Sequence, residues 1–203
     1  MPTAFELLRD EALACTACPL ATQGRSQVVF GAGDPDAPLL FVGEGPGAEE
    51  DKQGLPFVGR SGRLLDQLLA EELGVTRDAV YIANVVKCRP PDNRDPHPIE
   101  IEACRPYLER QIELIRPEVV VTLGKFAAQL LLDSKEGVTR LRGRSYPFGD
   151  GVLIPTLHPA YALRGGGEPL AQMRADLVRA KQVLAERGID LADHASTTGS
   201  GPR

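Results

Sequence analysis

Four short runs, Leu39–Val42, Val80–Val86, Glu118–Leu123 and Val152–Leu157, are apolar at consecutive rather than alternate positions. A strand covered on both faces has this pattern, so they predict parallel strands in the middle of a sheet. Between them the period becomes helical. Ser61–Leu73 is amphipathic and stops at Gly74, Pro98–Ile115 runs to Pro117 with Pro106 as a bend, Lys125–Leu132 follows the third strand, and Glu168–Arg187 ends before Gly188. At the front, Thr3 and Glu6 stand in capping-box spacing with Phe5, Leu8 and Ala12 on one face, which predicts a helix over Thr3–Ala14. Strand and helix alternate, so the expectation is a three-layer α/β/α sandwich with a central four-stranded parallel sheet. One domain covers residues 1–190, and residues 191–203, lacking apolar periodicity, are expected to form a disordered tail.

Composition adds bounds. The 203 residues are 42% hydrophobic, enough for a buried core, and 21 Gly with 17 Pro imply many shaped loops, where chemistry usually sits. No apolar stretch reaches membrane-spanning length, and Glu6, Asp10 and Glu11 interrupt the start where a signal peptide needs an apolar core. A cytoplasmic protein without membrane attachment is the expectation. A net charge of −5 argues against gripping a polyanion over the whole surface but leaves room for a local basic groove. Arg140, Arg142 and Arg144 are one candidate, and the pairs Arg60/Arg63 and Lys87/Arg89 are others; each reads equally well as a solvated face.

The four cysteines are spaced C-x2-C-x69-C-x15-C, at Cys15, Cys18, Cys88 and Cys104. In a reducing compartment two disulfides are disfavoured, so four thiols able to converge point to a metal or an iron–sulfur cluster. Pro19 after Cys18, and Pro90 shortly after Cys88, bend the chain so that backbone N–H groups can approach cluster sulfurs. Zinc is the rival, although its Cys₄ sites usually come from two close pairs. A thioredoxin-like role for Cys-Thr-Ala-Cys fits less well, because the motif follows a helix.

Ligands of such sheets lie at the carboxyl ends of the strands, and the residues there are unusually polar. After the first run comes Gly43-Glu44-Gly45-Pro46-Gly47-Ala48, which matches the dinucleotide fingerprint formally. Glu49, Glu50 and Asp51 then put carboxylates where phosphates would lie, and the chain is expected to continue as loop through Phe57. A loop that brings backbone close to a ligand, with Glu44 turned into the site, is the better reading. Asn84 interrupts an apolar strand, and its amide suits a base edge. Phe57, between Gly54 and Gly59, is either core or a stacking face. His158, followed by Pro159 at the ligand edge, is the strongest of three histidines as a site residue.

Together these motifs resemble the family 4, iron–sulfur type of the uracil-DNA glycosylase superfamily. The resemblance rests on the cysteine spacing, GEGPGAEEDKQGLPFVGRSG at 43–62, YIANVVKCRPPDNRDP at 81–96, ACRPYLERQI at 103–112, VTLGKFA at 121–127 and TLHPAYAL at 156–163. The basic, His-containing insert of a crosslinking relative is absent from Pro90–Pro98, and Gly47 stands where the family 5 type has Ala. The resemblance implies a [4Fe–4S] cluster on the four cysteines and excision of uracil from single- or double-stranded DNA by a monomer. It implies that Phe57 stacks on a flipped uracil, Asn84 reads its N3–H/O4 edge and His158 stabilises charge developing at O2. Backbone N–H groups of Gly45 and Gly47 assist, Glu44 orients water and balances the sugar cation, and Glu50 excludes the thymine methyl. The loop after His158 would supply a wedge, Leu163 or Arg164. Two other readings stay open: a non-catalytic iron–sulfur accessory protein that binds nucleic acid, and a broader glycosylase for hypoxanthine or xanthine.

Overall fold

The computed structural model describes residues 1–198; residues 199–203, the end of the expected tail, lie outside the described residues. In β2 (Leu39–Gly43), Leu39 and Phe41 enter one hydrophobic layer and Leu40 and Val42 the other, as a period of two requires. All four are fully buried, so the strand needs cover on both sides. The strands β3 (Tyr81–Asn84), β4 (Val119–Leu123) and β6 (Gly151–Thr156) repeat the pattern and pair in parallel as β3-β2-β4-β6.

The expected four parallel strands are present, but the sheet has six strands and is mixed. The two-residue β1 (Ala32–Gly33) adds antiparallel to β3, and the three-residue β5 (Tyr146–Phe148) adds antiparallel to β6. Neither is long enough to show a period.

One face is covered by α3 (Arg60–Leu68), α7 (Pro159–Gly165) and α8 (Gly167–Glu186), which bury Leu65, Leu68, Ala162, Met173 and Leu177. The other is covered by α4 (Pro98–Ile115) and α5 (Lys125–Leu131) through Leu108, Ile115 and Ala127. The amino-terminal α1 (Ala4–Leu13) lies against α4, with Leu8 and Ala12 packed on Phe30. Its capping box is formed: Glu6 N donates to Thr3 Oγ1 at 3.2 Å and Thr3 N to Glu6 Oε2 at 2.7 Å. Such a cap is worth about 1 kcal/mol, which helps hold the segment that leads into Cys15.

Three expectations are corrected. Residues 48–53 are not loop but α2 (Ala48–Gln53), and residues 159–165 are α7. The tail is ordered in its first part: α9 (Leu191–Thr198) forms, and Leu191 is buried beside Leu73 and Leu184. Within the basic run Arg140 and Arg144 are exposed, but Arg142 is engaged. Arg142, next to α6 (Val138–Leu141), donates to both oxygens of buried Asp176, which also accepts from Thr156 Oγ1 at 2.7 Å. Among the described residues no helix is long and apolar enough to cross a membrane.

Candidate active site

The carboxyl ends of the parallel strands open into one cleft of about 850 Å³. This is the crevice in which an open α/β sheet binds ligands.

Its floor depends on Gly43, the last residue of β2. A Cβ there would overlap Asn84 Oδ1 and lie 2.6 Å from the Phe57 ring, so the close approach of β3 and the 57 loop requires glycine. Phe57 itself has φ +52°, a left-handed conformation that a bulky residue adopts only when held there. Arg77 holds it, donating from Nη2 to Phe57 O at 2.7 Å and from Nη1 to Pro56 O at 3.3 Å. Asp66 fixes that guanidinium with bonds of 3.0 and 2.7 Å, and Gly62 leaves room for the Phe57 carbonyl. The ring thereby faces the cleft, 5.9 Å from the His158 imidazole between centroids and tilted by 34° to it.

Asn84 is 1% exposed, and among the described residues its Oδ1 has no hydrogen-bond partner. A buried amide oxygen left so costs about 1–3 kcal/mol, and a ligand N–H entering the cleft would recover it.

His158 caps α7, and its Nδ1 accepts from Ala160 N at 3.1 Å. The proton of the neutral ring therefore sits on Nε2. Burial, helped by Arg164 and opposed by Glu50, lowers its pKa to about 4, so at neutral pH the ring is an uncharged donor. Glu44, half-buried, also lines the cleft. Burial and the nearby Asp95 raise its pKa to about 7 against the pull of Lys125, whose Nζ pairs with Asp95 at 3.1 Å.

Glu50 is engaged by backbone. Its Oε1 accepts from Val58 N and Gly59 N at 2.9 and 2.8 Å, and Oε2 from Gly47 N at 3.2 Å. This carboxylate occupies the start of α2, so the dinucleotide reading fails because the helix caps itself, not because a helix is absent. One residue on, buried Asp51 accepts from Ser26 N at 2.9 and 3.0 Å and ties α2 to the segment carrying Cys15 and Cys18.

The four thiols line a second pocket together with Arg25, Lys87 and Tyr107. Lys87 N donates to Cys104 Sγ at 3.2 Å, Arg25 Nη1 to Cys88 Sγ at 3.1 Å and Ala17 N to Cys15 Sγ at 3.5 Å. Burial raises Cys104 to about 11 with Lys87 opposing, and burial raises Cys88 with Arg25 opposing. Thiolates in so dry a place need a positive centre to stay ionised. Among the described residues no three such side chains converge on a single-ion position. The four thiols are the side chains available there to a metal or an iron–sulfur cluster.

The family model for the uracil DNA glycosylase superfamily matches residues 30–181, which hold every strand and the whole cleft. The chain belongs to the uracil DNA glycosylase superfamily. Among its relatives is the type-4 uracil-DNA glycosylase of Thermotoga maritima, 46% identical over 91% of this chain and 96% of its own. Those of Sulfurisphaera tokodaii and Saccharolobus solfataricus are 48% and 42% identical over 78% and 92% of this chain, and 76% and 89% of their own.

The glycosylase cleft brings together Glu44, Gly45, Gly47, Phe57, Asn84 and His158. Glu50 and Arg164 also line it, whereas Leu163 stands on α7 outside the lining and is 42% exposed. Sequence reasoning missed Gly43 and Arg77 as site residues, and it placed Lys87 with Arg89 in a basic surface pair, whereas Lys87 is buried. A lysine closing the apolar run 80–86 was the signal for Lys87, and a glycine at a strand's last position was the signal for Gly43; nothing local marked Arg77.

Proposed function

We propose that the chain rotates uracil out of DNA and hydrolyses its N-glycosidic bond, leaving an abasic site; its relatives are named uracil-DNA glycosylases. The observation that carries this is the pairing of an unpartnered Asn84 Oδ1 with a neutral His158 Nε2–H across a cleft floored by Phe57. Uracil offers an N3–H donor to the first and an O2 acceptor to the second, with a flat face for the ring. As the bond to the sugar breaks, negative charge gathers on the base, and the hydrogen bond from Nε2 strengthens. Of the Gly45–Gly47 loop only the Gly45 N–H is left to add to this, since Pro46 has none and the Gly47 N–H is held by Glu50. Glu44 orients the attacking water and balances charge on the sugar. Both Glu50 oxygens are engaged by backbone N–H groups, so Glu50 holds that loop together, and this fixes its side chain at the cleft lining where its bulk excludes the thymine methyl.

Cys15, Cys18, Cys88 and Cys104 would hold a [4Fe–4S] cluster, which when bound supplies a crosslink between the amino-terminal segment, the end of β3 and α4. The deciding experiment is excision from oligonucleotides carrying U:G, U:A, single-stranded U, T:G or hypoxanthine, using freshly purified brown protein. Uracil release from the first three and not the others is expected. No release at all returns the chain to a non-catalytic binding protein, hypoxanthine release widens its substrate class, and a colourless, zinc-loaded protein of full activity removes the cluster.

Arg164, at the cleft, and exposed Leu163 lie on one helix, and we read them as the wedge that fills the gap left by the flipped nucleotide. Leu163→Ala and Arg164→Ala are expected to slow excision from duplex more than from single strands, by about tenfold or more, because only duplex must be kept open. Equal rates on both substrates would place the wedge elsewhere.

Glu44 supplies a pH dependence with a definite sign. Its working form is the carboxylate, and its pKa is raised to about 7, so single-turnover excision should climb as pH rises through neutrality. His158, lowered to about 4, contributes no change in that window. Glu44→Gln should flatten the profile; a slope that survives the substitution assigns it to another group.

A further inference from the structure

Lys87 is 1% exposed, among the largest fully buried side chains, and the mechanism above does not use it. Its Nζ donates to the backbone carbonyl of Asn84 at 2.8 Å and to Gln111 Oε1, and it lies 5.9 Å from the centre of the Phe30 ring. Its own backbone N–H donates to Cys104 Sγ at 3.2 Å. Gln111 in turn donates to Phe30 O at 3.0 Å. One residue thus touches a cysteine sulfur with its main chain and the base-reading asparagine with its side chain.

We propose that Lys87 is a positioning residue for base recognition, its buried amine fixing the end of β3 so that the Asn84 amide points into the cleft. This rests on the reading of Asn84 as the group that meets uracil. The argument is one of placement. β3 ends at Asn84, and the chain then continues beside β2 only through Val85 N to Gly43 O at 2.9 Å and Val86 N to Glu44 O at 3.0 Å. The Asn84 carbonyl belongs to the last peptide of the strand, and Lys87 Nζ is the donor that meets it. A charged donor on a buried carbonyl is roughly twice as strong as a neutral one, so it holds the peptide plane, and with it the direction of the Asn84 side chain. Because residue 87 sits between Asn84 and Cys88, the cysteine site and the base-reading site share one short rigid stretch of chain.

The test is inhibition of excision by free uracil, which reports base recognition apart from DNA contact. Lys87→Met fills the same space without the amine and should weaken free-uracil inhibition by about tenfold, the loss of one hydrogen bond to a charged group. Its iron content and visible absorbance should stay those of the wild type. Gln111→Met removes the other partner of the amine from the same buried network, and should keep free-uracil inhibition within about twofold of wild type while lowering the melting temperature as much as Lys87→Met. A purely structural role predicts that the two variants lose uracil recognition together, in step with their melting temperatures. That outcome overturns the proposal, as does a Lys87→Met protein inhibited by uracil like the wild type. Lys87→Gln, which keeps a shorter neutral donor, carries the same readout if the methionine variant does not fold, and should weaken inhibition less than tenfold but measurably. Wild-type protein that releases no uracil would instead refute the reading of the site, and is scored before any variant.

Discussion

His158→Ala should lower single-turnover cleavage of uracil-DNA by about 10²–10³-fold, roughly 3–4 kcal/mol, the usual effect of removing one donor aimed at developing charge. The dissociation constant for uracil-DNA should barely move. A neutral Nε2–H meets an uncharged O2 weakly in the bound substrate and strongly as the anion forms, so the interaction acts on rate. The geometry supports this division: Ala160 N fixes the tautomer through Nδ1, and burial keeps the ring uncharged. Asn84→Ala gives the contrasting pattern, losing affinity and rate together, because its partner N3–H is present from binding onward. Single-turnover rates and binding constants measured side by side decide the matter. A His158→Ala protein that mainly loses affinity, or cleaves near the wild-type rate, takes the imidazole out of the chemistry.

Gly43→Ala should be comparably severe although it removes no functional group. The new methyl would overlap Asn84 Oδ1 and press on the Phe57 ring, so these side chains must shift out of their places at the cleft. Their backbones are held, Phe57 O by Arg77 and Asn84 O by Lys87, so the displacement falls on the side chains that meet the base. Displacing catalytic groups by about an ångström typically costs about 10² in rate, and overpacking of this kind about 1–3 kcal/mol of stability. The expected result is a folded protein that cleaves about a hundredfold more slowly. Full activity in Gly43→Ala would mean that the positions of Asn84 and Phe57 are not what sets the rate.

The four central strands were legible because each is buried on both faces and reads as a mostly apolar run, unbroken in Leu39–Val42. Helix α4 was legible at both ends, Pro98 opening it and Pro117 following it. The short elements were not. Helix α2 has one buried residue, Asp51, held by a backbone N–H from residue 26, so no apolar period could announce it. The strongest chemical candidates, His158, Asn84 and the cysteines, stood out as polar or sulfur-bearing residues at strand ends or at telling spacing. What the sequence could not show is how carboxylates are used: Glu50 and Asp51 both serve backbone N–H groups contributed by other segments. Arg77, whose partners Pro56 and Phe57 lie about twenty residues earlier, is hidden for the same reason.

The two strands that escaped detection also bear on how the molecule behaves in a crowd. An open parallel sheet ends in rows of free N–H and C=O groups, which invite another chain to pair along them. Here β1 covers the β3 side with only two residues and β5 covers the β6 side with three, one of them Pro147, which has no N–H to offer. An incoming strand would find a ladder too short and too interrupted to extend. Such brief margins make the sheet a poor template for edge-to-edge pairing.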